Sequence, residues 1–203
     1  MRGIFNLDKF YPFLYGKYDM PKIRKQKIDI ENLDFISFNY ARTTKDKSKF
    51  LHFFLYDYQF ERVWTDMIVN GRVVSKFKGA FSPDFSLYTD YPIALQIYNV
   101  YRNRYIGAYW QDLGMQVIPT ISWSDERSFE FCFEGVEKGS IVAISTVGVM
   151  ASDSTKALFI KGYTELLKRI EPELIFIYGQ TFEGLEGNIR YIKPHFSKLR
   201  EVK

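Results

Sequence analysis

Short apolar runs, each closing on polar or small residues and each followed by a stretch able to form a helix, recur along this chain of 203 residues. That alternation constrains the fold more than any other feature. Phe50 to Leu55, Phe77 to Phe81, Met115 to Ile121, Ser140 to Ser145 and Leu174 to Tyr178 are nearly continuous apolar runs. Such runs suit strands covered on both faces, as in parallel sheets. Asp34 to Phe38 reads as an earlier strand ending at Asn39, and Ile189 to Ile192 as a short last one. Helices are expected over Gln59 to Ile68, Tyr91 to Asp112, Glu126 to Glu134, and from Asp153 or Ser154 to Ile170. Asn70-Gly71, Gly114 and Pro172 supply the stops, Pro92 suits a first helical turn, and Asp90 suits a cap.

Repeated strand, polar loop and helix predict an α/β fold with a mostly parallel sheet. Two closures remain open: a reduced or incomplete TIM-like barrel, or an open doubly wound sheet. A regular eight-unit barrel usually takes about 250 residues, more than this chain has. Residues 1–32, with Pro12, Pro21 and scattered aromatics, read as an irregular arm. Phe5, Phe10, Tyr11, Phe13 and Tyr15 could pack it onto a single β/α domain over 33–203.

Several function classes drop out. Cys132 is the single cysteine, so neither an internal disulfide nor a Cys-rich metal site can form. Two histidines exclude a three-histidine site, and His52 and His195 have no ligand partner at diagnostic spacing. His52 is expected buried and hydrogen-bonded, His195 on the surface, and Cys132 in the core. Neither a glycine-rich dinucleotide fingerprint nor a phosphate-binding P-loop is present. No secretory leader and no run of membrane-spanning length is visible, so a soluble cytoplasmic protein without membrane contact is the expectation. The net charge of +4 permits contact with phosphates without requiring it. Its basic runs are Lys22 to Lys27 and Arg42 to Lys49.

Ligands of parallel α/β proteins sit beyond the carboxyl ends of the strands. Asp84, in Ser82-Pro83-Asp84-Phe85-Ser86, is the leading catalytic candidate, with Ser82 and Ser86 placed to orient it or touch a substrate. Its alternative role is a turn residue. Asp125 follows Thr120, Ser122 and Trp123; it could reach a ligand or cap the next helix, and Trp123 could stack. Asp57 could enter the cleft or pair with Arg62. Three such carboxylates could divide acid and base duties, attack a glycosidic carbon, or hold Mg²⁺. Asn39, Ser145, Thr146, Tyr178 and Gln180 are further substrate-binding candidates at strand mouths. The aromatic and basic segment Tyr98 to Tyr105, with Arg102, could lie on a nucleic acid or pack against the sheet. Pro83-Asp84 matches half of a nuclease pattern, but no core strand with Glu-x-Lys follows; Glu201-Val202-Lys203 lies at the chain end.

Lys78-Gly79 through Ser86, Pro92 through Asn99 and Arg102, Gln116 through Thr120, Trp123-Ser124-Asp125, Phe131 through Gly135, and Val142 to Gly148 occur in a distinctive order. On these residues, across roughly 33–180, the chain resembles DUF4417, a family of bacterial and phage proteins. The resemblance implies no particular reaction. Its phage and mobile-element setting implies work on nucleotides or nucleic acid. Two expectations follow. One is a carboxylate-dependent enzyme acting on a nucleotide or nucleic acid by hydrolysis or transfer, with Asp57, Asp84 and Asp125 around one cleft. The other is a non-catalytic nucleic-acid- or protein-binding module, with the arm and Tyr98–Tyr105 forming one exposed face.

Overall fold

The computed structural model describes residues 2–194. The arm contains a 3-10 turn at Arg2–Phe5 and two short antiparallel strands, β1 (Leu14–Tyr15) and β2 (Met20–Pro21). Strands β3 (Phe35–Ser37), β4 (Phe50–His52), β5 (Gly79–Phe81) and β6 (Gln116–Ile118) pair in parallel in that order. Strands β7 (Ile141–Ser145), β8 (Leu174–Tyr178) and β9 (Ile189–Ile192) form a second parallel sheet. The two sheets meet at a bridge, where Ala143 N donates to Pro119 O at 2.9 Å and Ile121 N donates to Ala143 O at 2.8 Å. The helices are α1 (Asp57–Phe60), α2 (Arg62–Thr65), α3 (Met67–Val74), α4 (Ile93–Asp112) and α5 (Asp153–Ile170).

The chain is therefore a mixed α/β protein with parallel sheets. Strand order follows the sequence in both sheets, without the reversal of a doubly wound sheet. β3 and β9 are not paired, so no closed barrel forms. Side-chain alternation along the strands builds three apolar clusters among the described residues, one of them Val142, Ile144, Ile175 and Ile177 against Phe159, Tyr163 and Leu166 of α5. Phe50, Phe54, Phe81, Ile118, Ala143, Phe176 and Ile192 cluster on one face. Leu51, Phe53, Ala80 and Val117 turn the other way, onto Tyr105, Ile106 and Trp110 of α4. Phe35 of β3 meets Phe176 of β8 with ring centroids 5.2 Å apart, so the first face is shared by strands of both sheets.

α4 is buried along most of its length and carries a polar stripe inward: Gln96, Asn99, Asn103 and Arg104 are all buried. Buried amides persist only where they are bonded, and these act on loop backbone. Gln96 donates to Tyr88 O and Tyr91 O, Asn99 to Ser86 O, and Asn103 to Pro83 O. Gln111 accepts from Arg24 N and donates to Arg24 O, both at 2.8 Å, as a strand partner would. The arm is thus fastened through its backbone. Its apolar anchors are Met20, Ile23 and Phe10, the last edge-on to Tyr105 at 5.6 Å. Tyr11, Phe13 and Tyr15, expected to pack the arm, are exposed, and Phe5 is half-exposed.

Other local expectations are revised. The helix after β4 is broken into α1, α2 and α3 and runs through Asn70-Gly71. Asn70 Nδ2 donates to Arg62 O and Asp66 O, the two carbonyls on either side of the break, and Gly71 lets Tyr109 approach. Glu126–Glu130 is a 3-10 turn, not a helix reaching Glu134. Ser152, not Asp153 or Ser154, caps α5, in a reciprocal box with Thr155. Asp90 makes no cap; Pro92 holds the N-cap position of α4. His195 and Glu201 to Lys203 lie outside the described residues. Among those described, no helix is long and apolar enough to cross a membrane.

Trp123 lies flat against α5, tilted on Phe159 at 5.5 Å, and any Cβ at Gly162 would run into its indole. Gly162→Ala is expected to lower stability by up to about 2 kcal/mol: overpacking costs about 1–3, against about 1 from the better helix former. Urea denaturation midpoints of the two proteins measure it, and a gain would contradict this packing.

Candidate active site

The ends of β4, β5 and β6 bring four of the sequence candidates to one place. Ser86 donates to Asp57 from its backbone N–H, at 3.1 and 3.2 Å to the two carboxylate oxygens, and from its hydroxyl at 2.8 Å. Asp84 lies beside this pair. Burial, then the charge of Asp57, push its carboxyl up from 3.8 to about 7; the Ser122 hydroxyl and the Arg104 guanidinium pull the other way. One oxygen of Asp84 is buried without a hydrogen-bond partner. A carboxyl poised near neutrality beside a second, firmly held carboxylate can gain or lose a proton at physiological pH.

α4 fixes this loop from below. Ser82 Oγ donates to Asn103 Oδ1 at 2.8 Å and accepts from Thr120 N at 2.8 Å. Asn103 Nδ2 donates to Pro83 O at 2.7 Å, and Asn99 Nδ2 to Ser86 O at 2.8 Å. The residues on either side of Asp84 are therefore pinned. Arg104, 1% exposed, donates to Asn103 Oδ1, Thr120 O, Glu134 O and Cys132 O. Burial pulls its guanidinium down from 12.5 to about 10. A cavity of about 10 Å³ lies beside it, lined also by Asn103, Thr120 and Ser122. That volume suits about one water molecule. The Thr120 hydroxyl is buried there without a partner.

Arg104 and Asn103 are the site residues that strand-mouth reasoning missed. Their signal was available: Gln96, Asn99 and Asn103 fall at i, i+3 and i+7, one stripe of a helix otherwise rich in aromatics.

The other candidates have different partners. Asp125 accepts from Arg127 N, as a cap, and pairs with the Arg127 guanidinium at 2.6 Å. Arg102 is buried against Phe85, 3.8 Å from the ring centroid, and bonds Glu61 at 2.6 Å and Asn99 at 2.7 Å. Ser82 is fully buried and bonded as described, with no face toward a ligand. Asn39 donates to Gln59 at 2.9 Å. Ser145 and Thr146 donate to Tyr178 O and Gln180 O, bracing the loops after β7 and β8. Tyr178 stacks on Phe54 at 4.8 Å and lies 4.9 Å from the His52 ring. His52 is buried, and so is Cys132, whose thiol is pushed up to about 12 by burial.

The donor set fits Mg²⁺ poorly. Asp57 already receives the Ser86 donors, and no three His, Cys, Asp or Glu come together among the described residues. Mg²⁺ sites need several oxygen ligands in octahedral array. The proton chemistry below uses no metal step.

A family model described as a domain of unknown function (DUF4417) matches residues 13–195. The chain is similar to a "Gene 1 protein" of Mycobacterium phage L5, 47% identical over 130 residues, which are 64% of this chain and 57% of that protein. It is similar also to a "Gene 1 protein" of Mycobacterium phage D29, 46% identical over 145 residues, 71% of this chain and 54% of that protein. The chain spans a little over half the length of these curated relatives. No solved structure matches it.

Proposed function

This chain belongs to the DUF4417 family, and we propose that it is a carboxylate-dependent enzyme acting on a nucleotide or nucleic acid, with Asp84 as its proton-transfer group. The observation that carries this reading is the pairing of Asp57 and Asp84 in contrasting environments. Asp57 accepts the hydrogen bonds of Ser86, while Asp84 is desolvated to about 7. Environments that separate two carboxyls in this way are a mark of acid–base sites. The reaction class is hydrolysis or group transfer, in which Asp84 takes a proton from an attacking hydroxyl or gives one to a leaving oxygen. Asp57 is the fixed negative charge and Ser86 and Ser122 orient the pair.

The in-order parallel strands, joined across the two sheets at Thr120 and Ala143, are read as an incomplete TIM-like barrel, and its carboxyl ends are where such a fold binds ligands. The phage origin of the relatives supports a nucleotide or nucleic-acid substrate, and a cytoplasmic place of action. The alternative, a non-catalytic nucleic-acid- or protein-binding module, keeps the exposed Arg24, Lys25 and Lys27 of the arm but loses much of the Tyr98–Tyr105 face, because Asn99, Arg102, Asn103, Arg104 and Tyr105 are buried.

The test is a turnover screen of nucleotides and short oligonucleotides, followed by Asp84→Asn. The variant is expected to lose about 10²–10⁴-fold in rate, the usual contribution of a general acid or base. Circular dichroism should show an unchanged fold. Wild-type turnover by folded Asp84→Asn would overturn the assignment.

A further inference from the structure

We infer that Tyr56 and Tyr58 form a stacking platform for the bases of a single-stranded nucleic acid beside the Asp57–Asp84 pair. This inference rests on the nucleotide or nucleic-acid reading of that site and narrows its substrate class. The two rings are 70% and 79% exposed, yet lie nearly parallel, 11° apart in plane with centroids at 6.1 Å. They flank Asp57, so the residue bonded to Ser86 lies between them in sequence. Tyr88, half-exposed and edge-on to Tyr91 at 5.0 Å, stands two residues beyond Ser86. Both loops that carry the site therefore carry open aromatic rings.

Polar groups hold the platform in place. Asn39 donates to Gln59 at 2.9 Å, and Gln59 donates to the Tyr58 hydroxyl at 3.1 Å. Cations lie on the adjoining elements. Arg62 covers the Phe38 ring at 4.7 Å, and Arg42 reaches Asn70 at 3.5 Å. Both are exposed, and no carboxylate among the described residues pairs with either, whereas the nearby Glu61 is engaged by Arg102. Open aromatic rings beside unneutralised guanidinium groups are the combination that binds single strands: bases stack, and phosphates meet the cations. Here Tyr56 and Tyr58 would take successive bases, with the backbone toward Arg42 and Arg62 and the reacting group toward Asp84.

Fluorescence anisotropy with labelled 12-residue oligo(dT) and oligo(U) tests this. The full chain should bind one or both, with affinity falling as salt rises. Tyr56→Ala and Tyr58→Ala should each weaken binding roughly tenfold, within the range for losing one base–aromatic stack. Both rings are exposed, so the variants should keep the wild-type melting temperature. Absence of oligonucleotide binding, or wild-type binding by the double tyrosine variant, would sink the platform. If Asp84→Asn still abolishes turnover in that case, the catalytic reading stands alone. If Asp84→Asn turns over normally, that reading fails whatever the tyrosines do.

Discussion

Arg104→Ala is expected to remove on the order of 4 kcal/mol of folding stability, a large part of the roughly 5–15 kcal/mol typical of a domain. Two effects oppose each other. Burying the charge is costly: a guanidinium brought down from 12.5 to about 10 corresponds to roughly 3 kcal/mol. Removing the side chain relieves that cost. It also strips the donors of Glu134 O and Cys132 O, and one of the two donors each to Asn103 Oδ1, which keeps Ser82 Oγ, and to Thr120 O, which keeps Asn103 Nδ2. Each abandoned acceptor costs about 1–3 kcal/mol, and the emptied volume adds to the loss. The acceptors win. Arg104→Lys should recover only part, because an ammonium cannot reproduce the planar fork. Denaturant midpoints of both variants measure the effect. A loss below about 1 kcal/mol for alanine would mean the carbonyls find water when the fork is gone.

Asp84→Asn is expected to act in the opposite direction at alkaline pH. The folded chain holds this proton up to about pH 7, while an ordinary aspartate releases it near 3.8. Between those values the folded state binds more protons than the unfolded one, so stability falls as pH rises. The contribution is fully present below about pH 4 and lost above about pH 7, a total of roughly 4 kcal/mol. Asparagine copies the neutral acid and should not show this fall. The amide nitrogen still needs an acceptor, which costs about 1–3 kcal/mol. The net expectation at pH 8 is a variant more stable than wild type by roughly 2 kcal/mol. At pH 4 the wild type should equal or exceed it. Urea titrations at pH 4, 6 and 8 separate the curves; parallel profiles would refute a neutral-range Asp84. A residue that burdens the fold when charged and helps it when replaced is what a site kept for chemistry looks like.

Much of the architecture was legible because it is written in local chemistry. Apolar runs such as Leu174 to Tyr178 can only be covered strands, and their alternation with helices enforces parallel pairing. The approach of Asp57 to Asp84 followed from their places at the ends of β4 and β5, which proved to be neighbours. What stayed hidden depends on contacts distant in sequence. Asp125 is engaged by Arg127, and no spacing rule says whether a strand-mouth carboxylate faces a ligand or its own helix. Arg102 and Arg104 look alike on paper, as basic residues among aromatics. Packing buries both, one on Glu61 and the other on loop carbonyls. Tyr11, Phe13 and Tyr15 looked like anchors by size, yet the arm is held by backbone bonds to Gln111 and by Ile23. Hydrophobicity alone could not rank those aromatics.

The fastening of the arm has a consequence in time. Ile30 accepts from Arg190, 160 residues further along, at 2.8 Å. Ribosomes add about 5–20 residues per second, so roughly ten to thirty seconds separate the emergence of these partners. Through that interval Ile28 awaits the strands that will cover it, whereas Ile23 and Arg24 wait only for α4 and Gly135. The arm is thus seated in two stages, Ile23 and Arg24 once Gln111 and Gly135 are made, and Ile28 to Ile30 only with β9. Chaperone dependence during translation should concentrate around Ile28 to Ile30, the part of the arm left uncovered longest.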